Sequence, residues 1–262
     1  MVKNHIPKKR FGQNFLSDAV LLDKLANYIN ASKNDFFLEI GPGVGGLTDY
    51  LYKKPRQYVA VELDKDLVHN LERKFSKENN FKVINKDILD IDLKEFADAS
   101  NPIRLIGNLP YNLSSPILEW CFDQIEMIKD MHFMFQKEFA ERCAGDETTN
   151  SYGKLSVMCK YLCKVEILSE VERNFFEPIP KVDSSFVRFI PKIRENKIEE
   201  LKNLKKILPK LFNKKRKKIA KTLREIYSDK DLNEIGLDLN LRPDQMNIQQ
   251  FIDLARLKQK NG

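Results

Sequence analysis

Apolar residues change their spacing along this chain, and the spacing predicts its elements. Val20, Leu21, Leu25 and Ile29 recur at helical intervals behind Ser17, a residue type suited to capping a helix N-terminus. Short β-rich runs follow at 36–40, 58–63, 82–85, 104–107 and 131–136, with a late one at 182–190. Helical patterns separate them: a short one behind a glycine-rich loop, one carrying Leu67, Leu71 and Phe75, and one through 117–125. Alternation of this kind predicts an α/β layered sheet with helices on both faces.

Beyond Pro191 the character changes. Segments 198–212, 219–227 and 248–257 read as amphipathic helices, with Gly236 and Pro243 marking turns between the later pieces. The pattern predicts two domains: a larger α/β domain over 1–193 and a small all-helical domain over 194–262.

Charge sharpens this division. From Arg194 to the end the chain carries 18 Lys and Arg against 10 Asp and Glu, a net of +8, while the whole chain is +7. A near-neutral body with a basic tail suits a polyanionic partner, nucleic acid ahead of a membrane surface. No apolar run approaches the ~20 residues of a membrane span. The basic start at 1–10 leads into no apolar stretch or small-residue cleavage site, so no secretory signal is expected. The four cysteines form no C-x-x-C pair and meet no clustered histidines. The expectation is reduced, buried thiols in a cytoplasmic protein, with no metal site.

The glycine-rich loop carries the first chemistry. Strand 36–40 runs into Gly41-Pro42-Gly43-Val44-Gly45-Gly46. Glycines let the backbone turn sharply and let a ligand lie against bare peptide groups. Gly41, Gly43 and Gly46 also satisfy the dinucleotide pattern G-x-G-x-x-G, so a nicotinamide enzyme is one reading. Glu39 points elsewhere. A carboxylate just before the first glycine suits the ammonium of S-adenosylmethionine and would repel a pyrophosphate. Pro42 removes an amide that a phosphate cradle could use. Glu62, at the end of the next strand, is placed to accept both ribose hydroxyls of either cofactor. Asp87, after the third strand, suits an adenine amine or equally a turn.

Asn108-Leu109-Pro110-Tyr111 follows strand 104–107 and points to the reaction. An exocyclic adenine amine is a poor nucleophile because its lone pair is delocalised into the ring. Two acceptors on its hydrogens, the Asn108 side-chain oxygen and a backbone carbonyl beside Pro110, would localise that pair. Pro110 would fix the loop, and Tyr111 would offer a ring for an extruded base to stack on.

Together with Phe11-Gly12-Gln13-Asn14-Phe15-Leu16 and Pro178-Ile179-Pro180-Lys181-Val182-Asp183-Ser184, these motifs closely resemble the KsgA-type ribosomal RNA adenine dimethyltransferase family over nearly the whole chain. The resemblance implies a Rossmann-like class I methyltransferase sheet with a small helical C-terminal domain. It implies a cofactor site of Asn14, Leu16, Glu39, Gly41, Gly43, Glu62, Asp87 and Asn108, holding S-adenosylmethionine. It implies N6,N6-dimethylation of two adjacent adenosines near the 3′ end of small-subunit rRNA, within an assembling 30S particle. Phe176 would cover the face of the target base opposite Tyr111, although the adjacent Phe175 leaves open which ring does so.

Lys214, Lys215, Arg216, Lys217 and Lys218, with Lys221 and Arg224, form the densest positive run and are the expected RNA-binding residues. Lys3, Lys8, Lys9 and Arg10 could form a second contact. His5, His69 and His132 are scattered, and the chemistry leaves them no task. A monomer suffices. The competing readings are an antibiotic-resistance methylase acting on large-subunit rRNA, an assembly factor without turnover, and the nicotinamide dehydrogenase.

Overall fold

Phe36–Ile40 (β2) is buried at every position, the signature of a strand covered on both faces. It lies in the interior of a seven-stranded sheet in a computed structural model, which describes residues 7–8, 11–192 and 197–258. A two-residue strand, Phe15–Leu16 (β1), and helix Ala19–Ile29 (α1) precede it. Thr48–Leu51 (α2), Gln57–Glu62 (β3), Lys65–Lys74 (α3), Phe81–Asn85 (β4), Ile103–Asn108 (β5), Ser114–Asp123 (α4) and Ile128–Gln136 (β6) follow. Lys137–Ala144 (α5), Lys154–Leu162 (α6), Cys163–Val171 (β7), Phe176–Glu177 (β8) and Ser184–Pro191 (β9) complete the sheet region. Among the described residues no helix is long and apolar enough to cross a membrane.

The strand order is β4-β3-β2-β5-β6-β9-β7. Pairs β2·β3, β3·β4, β2·β5 and β5·β6 are parallel, and β9 runs antiparallel to β6. The chain lays β3 and β4 on one side of β2, then returns to place β5 on the other. That reversal opens a crevice at the C-terminal ends of β2 and β5, where such sheets bind ligands. The glycine loop leaves β2 there, and Asn108 ends β5.

The expected α/β sheet is what forms, with several differences of detail. Asp18, not Ser17, caps α1: its Oδ1 accepts from Leu21 N–H at 2.8 Å. Val20, expected on the apolar face, is 80% exposed. Strand β7 is absent from the periodicity because, as the last strand in the order, it is buried only at its two end residues and shows no alternation between them. Beneath the sheet, the buried Arg104 guanidinium binds Asp35 at 2.7 Å and Asp130 at 2.9 Å, and donates to the carbonyl of Ile29 at 2.6 Å.

The chain divides into two units: the part up to Ala140 with Glu166–Pro191, and Glu141–Val165 with the described residues from Lys192 on. The division expected at 193/194 lies outside the described residues but close to this return. The second unit also takes in α6, which the periodicity groups with the sheet. The reason is packing: α6 lies against Lys197–Phe212 (α7) and Ile248–Arg256 (α10). In that unit Phe212 stacks on Phe251 at 5.8 Å, and buried Glu200 accepts from Tyr161 Oη and Arg256 Nε. Asn247 and Gln250 form a reciprocal capping box on α10. Two shorter helices, Ala220–Arg224 (α8) and Asp229–Glu234 (α9), lie between α7 and α10.

Candidate active site

The glycine loop turns immediately after β2, with Gly41 N–H held on the carbonyl of Val61 at 2.9 Å. Gly43 has φ +61°, and a Cβ built there would lie 2.8 Å from the Phe15 ring. Only glycine satisfies both constraints. Gly107 is required by a close approach, since its Cβ would meet the Ile40 carbonyl at 2.6 Å.

Two carboxylates sit beneath this loop. Glu62 is 7% exposed, and its two oxygens accept from the backbone N–H of Gly43 at 3.1 Å and of Asp64 at 2.9 Å. Burial raises its pKa against those two bonds. The carboxylate keeps acceptor capacity for a ligand hydroxyl. Glu39 is 2% exposed; its Oε2 accepts from Thr48 Oγ1 at 2.5 Å and from Tyr58 Oη at 2.7 Å. Burial pushes its pKa up to about 7, opposed by both hydroxyls. Sequence reasoning missed Thr48 and Tyr58, which look like ordinary element residues until the sheet brings them onto Glu39.

Asp87 performs one of its two expected tasks visibly. Its Oδ1 accepts from Leu89 N–H at 3.0 Å, capping the turn Ile88–Asp90, while the residue also lines the cavity.

At the end of β5, Asn108 Nδ2 donates to the carbonyl of Asn14 at 2.7 Å. Commitment of the amide nitrogen leaves Oδ1 as the acceptor end of the side chain. Pro110 O already accepts from Leu113 N–H at 2.9 Å, which makes the Leu109 carbonyl the candidate second acceptor beside the proline. Tyr111 Oη pairs with Ser184 Oγ at 2.8 Å, which pins its ring. Ser184, the first residue of β9, closes the motif 178–184, and nothing in that motif alone shows this task.

The segment 11–16 crosses this crevice. Its strand β1 pairs antiparallel with β8, placing Phe15 opposite Glu177 and Leu16 opposite Phe176. Asn14, Leu16, Glu39, Gly41, Gly43, Glu62, Asp87, Asn108, Leu109, Pro110 and Tyr111 all line one cavity of about 330 Å³. That is large enough for a small organic cofactor. Its donor set fits a nucleoside sulfonium: carboxylates for hydroxyls and ammonium, with bare backbone at the loop. Among the described residues no His, Cys, Asp or Glu cluster could hold a metal.

Phe176 is 2% exposed and packs in the hydrophobic core with Leu16, Leu25 and Phe186, three residues that line the cavity. Pairing with β1 turns it inward, whereas Phe175 in the preceding turn is 38% exposed. His132, on β6, is buried, and burial pushes its pKa down to about 4.

Lys214 to Lys218 lie in the turn between α7 and α8, while Lys221 and Arg224 lie on α8 itself. Lys215 Nζ donates to the Tyr152 carbonyl at 3.0 Å, Lys218 Nζ to Asn240 Oδ1 at 2.9 Å, and Arg224 pairs with Asp229 at 2.9 Å. Lys214, Arg216, Lys217 and Lys221 are exposed and make no ion pair among the described residues. Lys8 is tied to Asp64 and Asp66 at 2.6 and 2.7 Å. Lys3, Lys9 and Arg10 lie outside the described residues.

A sequence profile of the family described as Ribosomal RNA adenine dimethylase matches residues 4–260. A Ribosomal RNA small subunit methyltransferase A of Pseudomonas fluorescens is 40% identical over 252 residues, 96% of this chain and 93% of that protein. One of Legionella pneumophila is 41% identical over 254 residues, 96% and 98% of the two chains. The crystal structure of a dimethyladenosine transferase from Plasmodium falciparum superposes with TM-score 0.77 at 25% identity, covering 92% of this chain and 95% of that one. The 23S rRNA methyltransferase ErmE superposes with TM-score 0.71 at 26% identity, covering 92% and 98%.

Proposed function

The chain belongs to the ribosomal RNA adenine dimethylase family, and from that premise we propose that it dimethylates N6 of two adjacent adenosines near the 3′ end of small-subunit rRNA, using S-adenosylmethionine. It is a methyltransferase with a Rossmann-like fold. The substrate is the rRNA of an assembling 30S particle, and the enzyme works as a cytoplasmic monomer.

The observation that carries this reading is the orientation of Asn108, whose amide nitrogen is turned to Asn14 O at 2.7 Å. Its Oδ1 and the Leu109 carbonyl then accept from the two hydrogens of an adenine amine, which localises the nitrogen lone pair. Tyr111, held by Ser184, stacks on the base, an interaction worth about 1–3 kcal/mol. Glu62 holds the ribose hydroxyls of the donor, Asp87 its adenine amine, and ionised Glu39 its ammonium. The donor, when bound, would supply a sulfonium-activated methyl; Asn108 Oδ1 and the Leu109 carbonyl would hold the accepting amine, whose surplus proton would leave to solvent. The remaining acceleration comes from alignment in a site shielded from water. Lys214, Arg216, Lys217 and Lys221 contact RNA phosphates, alongside Lys215, Lys218 and Arg224, whose present partners they would share or exchange.

The test is incubation of unmethylated small subunits with labelled S-adenosylmethionine, followed by mapping of the modified nucleotides. Label on two adjacent 3′-terminal adenosines is expected. A methylated large-subunit adenine, with small-subunit sites untouched, would reject the assignment in favour of the resistance-type reaction.

A further inference from the structure

Segment 11–16 reaches the cavity from outside the main sheet, and something must hold it there. At its outer end Lys8 Nζ lies 2.6 Å from Asp64 Oδ1 and 2.7 Å from Asp66 Oδ2. Gln13 Nε2 donates to Asp64 Oδ2 at 3.1 Å, and Gln13 Oε1 accepts from the backbone N–H of Lys8 at 2.7 Å. Asp64 is 2% exposed and also caps α3 by accepting from Asp66 N–H. Its own N–H donates to Glu62 Oε1 at 2.9 Å, so the same residue touches the carboxylate at the cavity floor. Burial alone would raise the Asp64 pKa, but Lys8 and Gln13 outweigh it and hold the carboxyl below its ordinary range.

The inner end of the segment is what matters for the reaction. Asn14 lies between Gln13 and Phe15, and its carbonyl receives the Asn108 amide at 2.7 Å. One side of the segment is fixed by the β1·β8 pairing, a ladder of two residue pairs. A strip this short cannot hold itself, because ordering each residue costs about 1–2 kcal/mol. A second anchor on the far side of Asn14 adds to that hold, and the Lys8–Asp64–Gln13 cluster supplies it. An isolated exposed ion pair would be too weak for this. Here the acceptor is buried, and a neutral side chain shares it.

We propose that Asp64 and Lys8 are positioning residues for methyl transfer: their latch holds segment 11–16 so that the Asn14 carbonyl orients the carboxamide of Asn108. The effect on catalysis rests on the role given to Asn108 under the proposed function; the effect on the segment does not.

The experiment compares Lys8→Met, Lys8→Arg and Asp64→Asn in the full chain. Asp64→Asn retains an oxygen to cap α3 while removing the charge that binds Lys8. Amide hydrogen exchange of residues 11–16, measured without any ligand, should accelerate about tenfold or more in Lys8→Met and Asp64→Asn, and stay near wild type in Lys8→Arg. For methylation of small subunits, kcat should fall about tenfold in the same two variants with KM for the RNA unchanged, and Lys8→Arg should restore it. Unchanged exchange and kcat in a folded Lys8→Met would overturn the proposal, as would a kcat loss with no change in exchange. If wild-type protein left small-subunit adenines unmethylated, the reaction assignment would fall, and the exchange comparison would still decide the latch.

Discussion

The Asn108 carboxamide and the Asn14 carbonyl meet at 2.7 Å across 94 positions of chain, joining the end of β5 to the segment before α1. Each group constrains what the other can do. Asn14 takes one hydrogen of the Asn108 amide and so orients the carboxamide, and Asn108 holds the inner segment beside the glycine loop.

The first prediction follows from that pair. Asn108→Ala removes the amine acceptor and should lower kcat about 10²-fold or more, as loss of an oriented polar group at a reacting centre commonly does. RNA affinity measured by filter binding should change little. Near-wild-type turnover would remove Asn108 from the chemistry.

Glu39 makes stability and donor affinity depend on pH in opposite directions. Its pKa is about 7 in the folded chain against an ordinary value of 4.5, so the folded state retains a proton that the unfolded state has lost. Its contribution is therefore full below about pH 4.5 and is lost as pH rises to about 7. His132, pushed down to about 4, gives a slope of opposite sign between 4 and 6.5. Comparison with Glu39→Gln cancels that slope. The urea midpoint of wild type should fall relative to that of the variant from pH 5 to 7. Binding of S-adenosylmethionine should strengthen over the same range in wild type alone, because the ammonium needs the ionised carboxylate.

Phe175 and Phe176 should separate cleanly. Phe176→Ala opens a cavity in the core and should cost about 3–5 kcal/mol in chemical denaturation. Phe175→Ala should leave stability within about 0.5 kcal/mol, since the ring is half exposed. If Phe175→Ala also weakens RNA binding or turnover, the second stacking ring is the exposed one.

Replacing Lys214, Arg216, Lys217 and Lys221 with Gln should weaken RNA binding and flatten its salt dependence. The log–log slope should fall by about 0.7–0.9 for each phosphate that is no longer neutralised. Lys215→Gln should instead cost stability, because its ammonium holds the Tyr152 carbonyl. An unchanged slope in the fourfold variant would return the segment to ordinary solvated charge.

Arg104→Met tests the foundation of the sheet. It strands the Asp35 carboxylate, 2% exposed, with only the half-exposed Lys129 as counter-charge. Loss of one partner from such a buried pair should cost about 3–5 kcal/mol, read as a lower urea midpoint.

Periodicity and local motif chemistry determined much of this protein by themselves. Apolar alternation is set by which faces are buried, so strands β2 to β6 and the helices between them could be read one element at a time. Glycine at 41 and 43, carboxylates at strand ends and the Asn-Leu-Pro-Tyr turn carry their chemistry in residue type and local spacing. Only the tertiary structure decided the rest, because the remaining facts are relations between distant segments. Nothing near Phe176 announces that pairing with Leu16 turns its ring into the core. Nothing near Glu39 announces Tyr58, nor does Asp64 announce Lys8. The basic run looked uniform in sequence, yet three of its members are held by Tyr152, Asn240 and Asp229 once the chain closes around them. A side chain's local neighbours fix its element, but its partners come from whatever the fold brings within 3 Å or so, and that is a property of the closed chain.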